Sequence, residues 1–370
     1  MPRTDVMRAI DRVDPDLGAF IELDPDAALR AAEAAPGGQL SGVLIAVKDL
    51  VDTAGIRTTY GSARYADHVP AADAPLVAGL RERGAVVLGK TNLNEFAYGV
   101  SALNPHYGAT LAPADRARTA GGSSSGSAAA VSAGVCRIAV GTDTSGSVRI
   151  PAACCGVYGF KVAHGALPLQ GVHPLAARYD SAGFLAASVE DLQLVLALPD
   201  LPDVAHLRVG RLGVDLEVPA LPAAHWTVFR KEVWDVHGEA FERDPSSYGA
   251  DLQWKLRRPF GDLPSAERTL AAFRARYEEA TAGLDVLIGP LLDGAAPTLA
   301  AARADYDRDE FLVGDRLLRH TPVFNQLGWP AVAVPTADGP RQVAGRPGTE
   351  AALLAVARDI GLTAADTVVA

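Results

Sequence analysis

Short apolar runs, not long ones, set the texture of this chain. Gly42–Val47 is a β-branched run ending at Lys48-Asp49 and reads as a buried strand. Ala74–Arg83 reads as a helix closed by Gly84, and Ala85–Leu88 as a further strand. That alternation predicts an α/β fold. Residues 4–35 read as helical, with Pro25 near a helix start and a stop at Pro36-Gly37-Gly38. Later, Leu270, Phe273 and Tyr277 recur at helical spacing within Ala266–Ala282. Val286–Ile288 and Ala331–Val334 read as strands, and Thr349–Ile360 as a helix following the Gly345-Arg346-Pro347-Gly348 turn. Residues 199–262 are proline-rich, show no strong period, and hold Trp226, Trp234 and Trp254. No internal repeat and no clean domain boundary is visible.

Between Gly121 and Gly171 glycine and serine become dense, yet a small-residue helix (Ser127–Ala133) and a strand (Cys136–Val140) are interleaved. A flexible Gly/Ser tether would not carry Ala128–Val131 or Ile138–Val140, so this stretch reads as a close-packed site.

Composition narrows the function classes. The net charge of −10 comes with no Lys/Arg cluster, which excludes a basic face for nucleic acid. No apolar stretch approaches the roughly 18–20 residues of a membrane span. The opening Met1-Pro2-Arg3-Thr4-Asp5-Val6 lacks an apolar signal core, so the expected compartment is the cytoplasm. Cys136, Cys154 and Cys155 are too few and too clustered for a disulfide framework and have no zinc-ligand spacing. They read as small buried hydrophobes, with Cys154 and Cys155 close in sequence to the chemistry.

Two segments stand out, Gly121-Gly122-Ser123-Ser124-Ser125-Gly126-Ser127 and Gly141-Thr142-Asp143-Thr144-Ser145-Gly146-Ser147-Val148-Arg149-Ile150-Pro151. Small side chains and exposed amides of this kind make an anion-binding concavity. The first lacks the Lys-Ser/Thr ending of a P-loop and the GxGxxG order. A tight turn with capping serines would explain one such segment, but explains two poorly. The eight histidines offer no triad order and there is no Gly-x-Ser-x-Gly elbow; His106, His164 and His173 read as satisfied loop or core histidines. Serine needs a base to act as a nucleophile, and a desolvated lysine can serve. Lys48, at the end of an apolar strand, is placed for that role.

These pieces together resemble the amidase signature family. Lys48 and Ser123 stand 75 residues apart, and Ser123 and Ser147 stand 24 apart, as in that family. Gly89-Lys90-Thr91-Asn92 with Asn94-Glu95-Phe96, and Cys155–Lys161, match as well. The likeness runs from about Gly42 to Asp191 and resumes near Val286. It implies one α/β/α sandwich domain over residues 1–370 around a large mixed sheet, with the signature core at about 42–191 and a pocket-shaping segment at about 199–262. It implies Ser147 as nucleophile, Ser123 as proton relay on a cis peptide bond after Gly122, and Lys48 as base. The oxyanion hole would be built from Thr144, Ser145, Gly146 and Ser147. Supporting roles fall to Ser124, Asp143 and Arg149; the last two read either as a buried pair shaping the loop or as substrate contacts. Ser125 and Ser127 read as structural. Tyr98 and Phe184, with Gly122, fall where the family lines its acyl pocket, though core packing fits Tyr98 and Phe184 equally.

The resemblance implies hydrolysis of a small carboxamide with no cofactor and no metal. The partner expected is a small-molecule amide, with no nucleic acid and no membrane, and a homodimer is left open. Short amidases similar to indole-3-acetamide hydrolase match the middle of the chain well, which points to a small aryl or alkyl primary amide. Three alternatives stay open: an acyltransferase using the same acyl-enzyme, a non-catalytic amidase-like binding module, and an ammonia-supplying component of a larger amidotransferase. The chain departs from the family pattern at Ser145 (usually glycine), Ala120, Val162-Ala163 and Ala187, and is shorter over Asp338–Val343.

Overall fold

A computed structural model describes residues 3–308 and 311–361. Met1-Pro2 and the stretch from residue 362 onward, both within the 1–370 span read above, lie outside the described residues. Ten strands form one mixed sheet: β1 (Phe20–Leu23), β2 (Leu44–Lys48), β3 (Val86–Thr91), β4 (Ile138–Asp143), β5 (Tyr158–Lys161), β6 (Ser181–Ala186), β7 (Val209–Arg211), β8 (Val286–Pro290), β9 (Ala331–Val334) and β10 (Arg341–Ala344). Their order across the sheet is β1-β3-β2-β4-β6-β5-β9-β10-β8-β7. β2 runs parallel to both β3 and β4, and β7 parallel to β8; the other pairings are antiparallel.

Side chains on a strand alternate between faces, and here both faces are covered, so the strands read as near-continuous apolar runs. On one face Ile45, Val47, Val87, Val140, Phe160 and Phe184 pack against the helices Pro75–Glu82, Val189–Leu196 and Glu350–Ile360. On the other, Ala46, Leu88, Ala139 and Leu185 meet Arg3–Asp11, Pro25–Ala34, Ser125–Ser132 and Arg149–Cys155. This is the expected helix–sheet–helix layering. The Ser125–Ser132 helix lies very close to its neighbours because it is built of small residues. A Cβ on Gly126 would stand 2.1 Å from the Ala19 carbonyl oxygen.

Two expectations are corrected. Residues 4–35 are not helical throughout, because Phe20–Leu23 leaves the helical register and adds an antiparallel edge strand to β3. All four of its residues are half-buried, so no alternation marks it. The irregular stretch 199–262 contains a 20-residue helix, Ala224–Arg243, followed by Ala250–Leu256. Its buried stripe runs through His225, Val228, Phe229, Val233, His237, Gly238 and Phe241. Two histidines and a glycine sit where an amphipathic pattern would show aliphatics, which hides the period. With Leu263–Ala280 these helices cap the ends of β2 and β3, burying Leu50, Leu93 and Phe96. Among the described residues no helix is long and apolar enough to cross a membrane.

Phe184 pairs with Val140 and Phe160 in the middle of the sheet and is 2% exposed, a core position and not a pocket one. Phe184→Ala is expected to lower the unfolding free energy by about 3–5 kcal/mol, because a large cavity would open in a two-sided core. The urea midpoint of the purified variant measures it.

Candidate active site

The site forms where β2 and β4 end side by side. Lys48 is the last residue of β2 and is fully buried. Its Nζ donates to Ser123 Oγ and to Thr142 Oγ1, both at 2.8 Å. Ser123 precedes the small-residue helix, and the Gly122–Ser123 peptide is cis. That helix is tied down by its own serines: Ser127 Oγ donates to the Val140 carbonyl and Ser125 Oγ to the Asn92 carbonyl. Ser124 Oγ donates to the Thr142 carbonyl at 3.2 Å, and its amide donates to the Ser147 carbonyl at 3.1 Å. The two glycine-serine segments are therefore laced together at Ser124. Gly122 admits no side chain, since a Cβ there would stand 2.3 Å from Asn94 Oδ1. It lies behind the site, not on the cavity wall expected for it.

Burial pulls the Lys48 amine down to about 7, against the opposing charges of Asp143 and Asp180. A neutral amine is therefore well populated at ordinary pH, and its lone pair faces hydroxyls.

Asp143, the last residue of β4, organises the loop that follows. Its carboxylate accepts from the amides of Gly146 (2.8 Å) and Val148 (3.1 Å) and from Arg149 Nε and Nη2 (both 3.0 Å). Arg149 also donates to the Thr321 carbonyl, to Gln342 Oε1 and to Asn325 Oδ1. Both charges are fully buried. Burial alone would raise the Asp143 carboxyl, but Arg149, with Lys161 and Asn325, outweighs it and holds the group below the usual carboxylate range. Of the two readings of this pair, the structure supports the loop-shaping one: neither side chain reaches the cavity wall.

Because Gly146 donates its amide to Asp143, it is not free to serve an oxyanion, which corrects its expected place there. The amides of Thr144, Ser145 and Ser147 carry no hydrogen bond among the described residues. Thr144 Oγ1 is held by Asp180 Oδ1 at 2.7 Å, and Asp180 also accepts from the Leu175 and Ala176 amides. Sequence reasoning missed Asp180, Thr142, Thr321 and Asn325. Each is an isolated polar residue, and nothing in its local sequence marks a role.

Ser147 opens onto a cavity of roughly 130 Å³ together with Thr144, Ser145, Tyr98 and Val100. Its hydroxyl makes no hydrogen bond among the described residues, and its carbonyl is fixed by Ser124. Tyr98 thus lines the cavity as expected. The far wall comes from the helical cap, through Trp226, Phe229 and Lys255, and from Phe311 and Leu318. Lys255 is neutralised by Asp251 at 2.6 Å. Arg230 and Arg258 line the cavity without an ion pair among the described residues. Cys155 is buried behind the loop, its thiol directed to the Ala120 carbonyl. Among the described residues no three His, Cys, Asp or Glu side chains converge as a metal site requires.

Fold and site together define a layered α/β protein with a buried lysine–serine centre facing a small cavity. The chain belongs to the amidase family, whose family model, Amidase, matches residues 4–202. It is 45% identical over 221 residues to the GatA-type component of the glutamyl-tRNA(Gln) amidotransferase of Thermus thermophilus, covering 58% of this chain and 47% of that protein. A similar match, 42% over 224 residues, is made with the corresponding protein of Sulfurisphaera tokodaii, covering 55% and 48%. The chain thus spans about half the length of these curated relatives. Among solved structures, an amidase superposes with a TM-score of 0.85 at 27% identity, covering 98% of this chain and 96% of that one. The 6-aminohexanoate cyclic dimer hydrolase complexed with substrate superposes with a TM-score of 0.80 at 26% identity, covering 97% and 93%.

Removing the cation from the buried pair leaves Asp143 desolvated and unpaired. Arg149→Met is expected to cost about 3–5 kcal/mol, read as a fall in the urea midpoint. The loss should narrow as pH falls and Asp143 gains a proton.

Proposed function

We propose that this chain is an amidohydrolase that cleaves a small carboxamide through an acyl-enzyme, with Ser147 as nucleophile, Ser123 as relay and Lys48 as base. One observation carries the proposal. A fully buried lysine amine, pulled down to about 7, donates to the hydroxyl of Ser123, which lies beside the Ser147 loop.

In the proposed reaction Ser147 Oγ bonds to the amide carbon while its proton passes through Ser123 to neutral Lys48. Lys48 then returns a proton by the same route to the leaving nitrogen, and the C–N bond breaks to release ammonia or an amine. Water attacks the ester in the reverse sense. The amides of Thr144, Ser145 and Ser147 supply donors for the oxyanion. Substrate binding has to close the contact from Ser147 to Ser123, since catalytic hydrogen bonds often tighten only in the complex. The aromatic wall of Tyr98, Trp226 and Phe229 suits an aryl or alkyl acyl group. The guanidinium groups of Arg230 and Arg258 on the same wall disfavour a cationic one.

A second reading rests on the relatives. They are named as components of a glutamyl-tRNA(Gln) amidotransferase, so an ammonia-supplying role with glutamine as donor is the alternative. Ammonia release from glutamine, measured against a panel of neutral primary amides, separates the two. Hydroxamate formation with added hydroxylamine reports acyl transfer.

Fluorophosphonate labelling tests the centre. Wild type should take one adduct on Ser147, seen by intact mass and peptide mapping, and Ser147→Ala should take none. Lys48→Ala should label roughly 10²–10⁴-fold more slowly. Because the neutral amine is the active form, the wild-type labelling rate should rise with pH through about 7 and level off above it. A flat profile, or an adduct on another serine, would sink the assignment.

A further inference from the structure

Nearly every hydroxyl on the two glycine-serine segments has a partner. Ser123 accepts from Lys48, as does Thr142. Ser124, Ser125 and Ser127 donate to carbonyls, and Thr144 donates to Asp180. Two hydroxyls carry no hydrogen bond among the described residues, those of Ser147 and Ser145. Ser147 is accounted for as the nucleophile. Ser145 is 6% exposed, its Oγ is buried without a partner, and it lines the same cavity.

The backbone around Ser145 leaves its side chain little choice. Its carbonyl accepts from Thr321 Oγ1 at 2.5 Å, and the next amide, of Gly146, donates to Asp143 Oδ1 at 2.8 Å. The peptide between them is thus pinned at both ends. Gly146 adopts φ +125°, and a Cβ there would stand 2.2 Å from Thr321 Oγ1. With that peptide locked, the Ser145 hydroxyl cannot win a partner by a backbone shift. A buried hydroxyl left unpaired is destabilising, and a free donor beside a nucleophile is suited to an acceptor that arrives with the substrate.

We propose that the Ser145 hydroxyl is a side-chain donor to the substrate carbonyl oxygen, joining the amides of Thr144, Ser145 and Ser147 in stabilising the oxyanion. This rests on the reading of Ser147 as the nucleophile. The O–H supplies one hydrogen bond that strengthens as negative charge grows on the oxygen, and it transfers no proton. A rotatable hydroxyl makes up for the amide of Gly146, which Asp143 holds.

The test compares wild type, Ser145→Ala, Ser145→Gly and Ser145→Thr. The readouts are fluorophosphonate labelling rate, p-nitrophenyl butyrate turnover and thermal midpoint. Ser145→Ala and Ser145→Gly should label at least about tenfold more slowly, toward the roughly 10²–10³ that a full oxyanion donor carries. The fall should appear in kcat with KM nearly unchanged, and Ser145→Thr should recover part of it. The thermal midpoint of Ser145→Ala should hold or rise, because the hydroxyl it removes had no partner. Wild-type labelling by Ser145→Ala, or a lowered midpoint with an unchanged rate, overturns the proposal. Ser147→Ala separates the two readings. If it still labels, or if wild type never does, the nucleophile assignment fails and this proposal fails with it. If Ser147→Ala is silent while Ser145→Ala labels normally, only this proposal fails.

Discussion

A carboxylate with no exposed surface is tolerable only when donors surround it, and Asp143 is surrounded by more than charge balance needs. Arg149 takes both oxygens in a fork, Asn325 adds a side-chain amide, and two backbone amides of the following loop complete the shell. The forked geometry is specific to guanidinium, so the pair fixes direction as well as charge. Because the loop amides are part of that shell, the path from Asp143 to Arg149 cannot relax without exposing a buried charge. Ser147 is presented at the cavity for this reason. Arg149 in turn reaches Gln342 on β10 and the turn at Thr321, so distant parts of the chain hold the same loop.

Three lysines, Lys48, Lys90 and Lys161, are fully buried, and burial lowers all of them. Desolvation alone therefore does not mark a base. Lys161 donates to the carbonyls of Val162 and Trp329, and Lys90 to the Val51 carbonyl and Thr58, with Asp49 at 3.6 Å. Backbone carbonyls cannot pass on a proton, and neither lysine touches a hydroxyl of the two loops. Lys48 donates only to hydroxyls, one of them on Ser123. Under the proposed mechanism, connectivity to a hydroxyl and not the amount of burial is what separates a base from a structural cation.

Legibility from sequence divides along physical lines. Strands β2, β3, β4 and β9 are readable because β-branched and apolar runs end at glycine, proline or charge. The lysine and the two glycine-serine segments are readable because their spacing and residue types are unusual for a tether. Phe184 is ambiguous because a pocket wall and a two-sided core ask for the same residue, and only the register against Val140 and Phe160 decides. The assignment of Gly146 to the oxyanion hole depends on an amide direction that composition cannot express. Ala224–Arg243 stays hidden because buried polar residues break its pattern. His225 is satisfied through Gln326, and His237 stacks on His173.

That hidden segment also bears on how far likeness to other proteins carries. The family model ends at residue 202, and every group proposed for the chemistry lies before that point. The cavity wall opposite Ser147 is supplied by Trp226, Phe229, Arg230, Lys255, Phe311 and Leu318, all beyond it. The matched part therefore carries the buried amine, the laced serines and the pinned loop, which any amide would use alike. Discrimination between amides depends on which acyl group fills the cavity and pairs with its donors. In this chain the walls come from helices whose pattern departs from a plain amphipathic stripe. Substrate choice is thus written in the cap, while bond cleavage is written at the ends of β2 and β4.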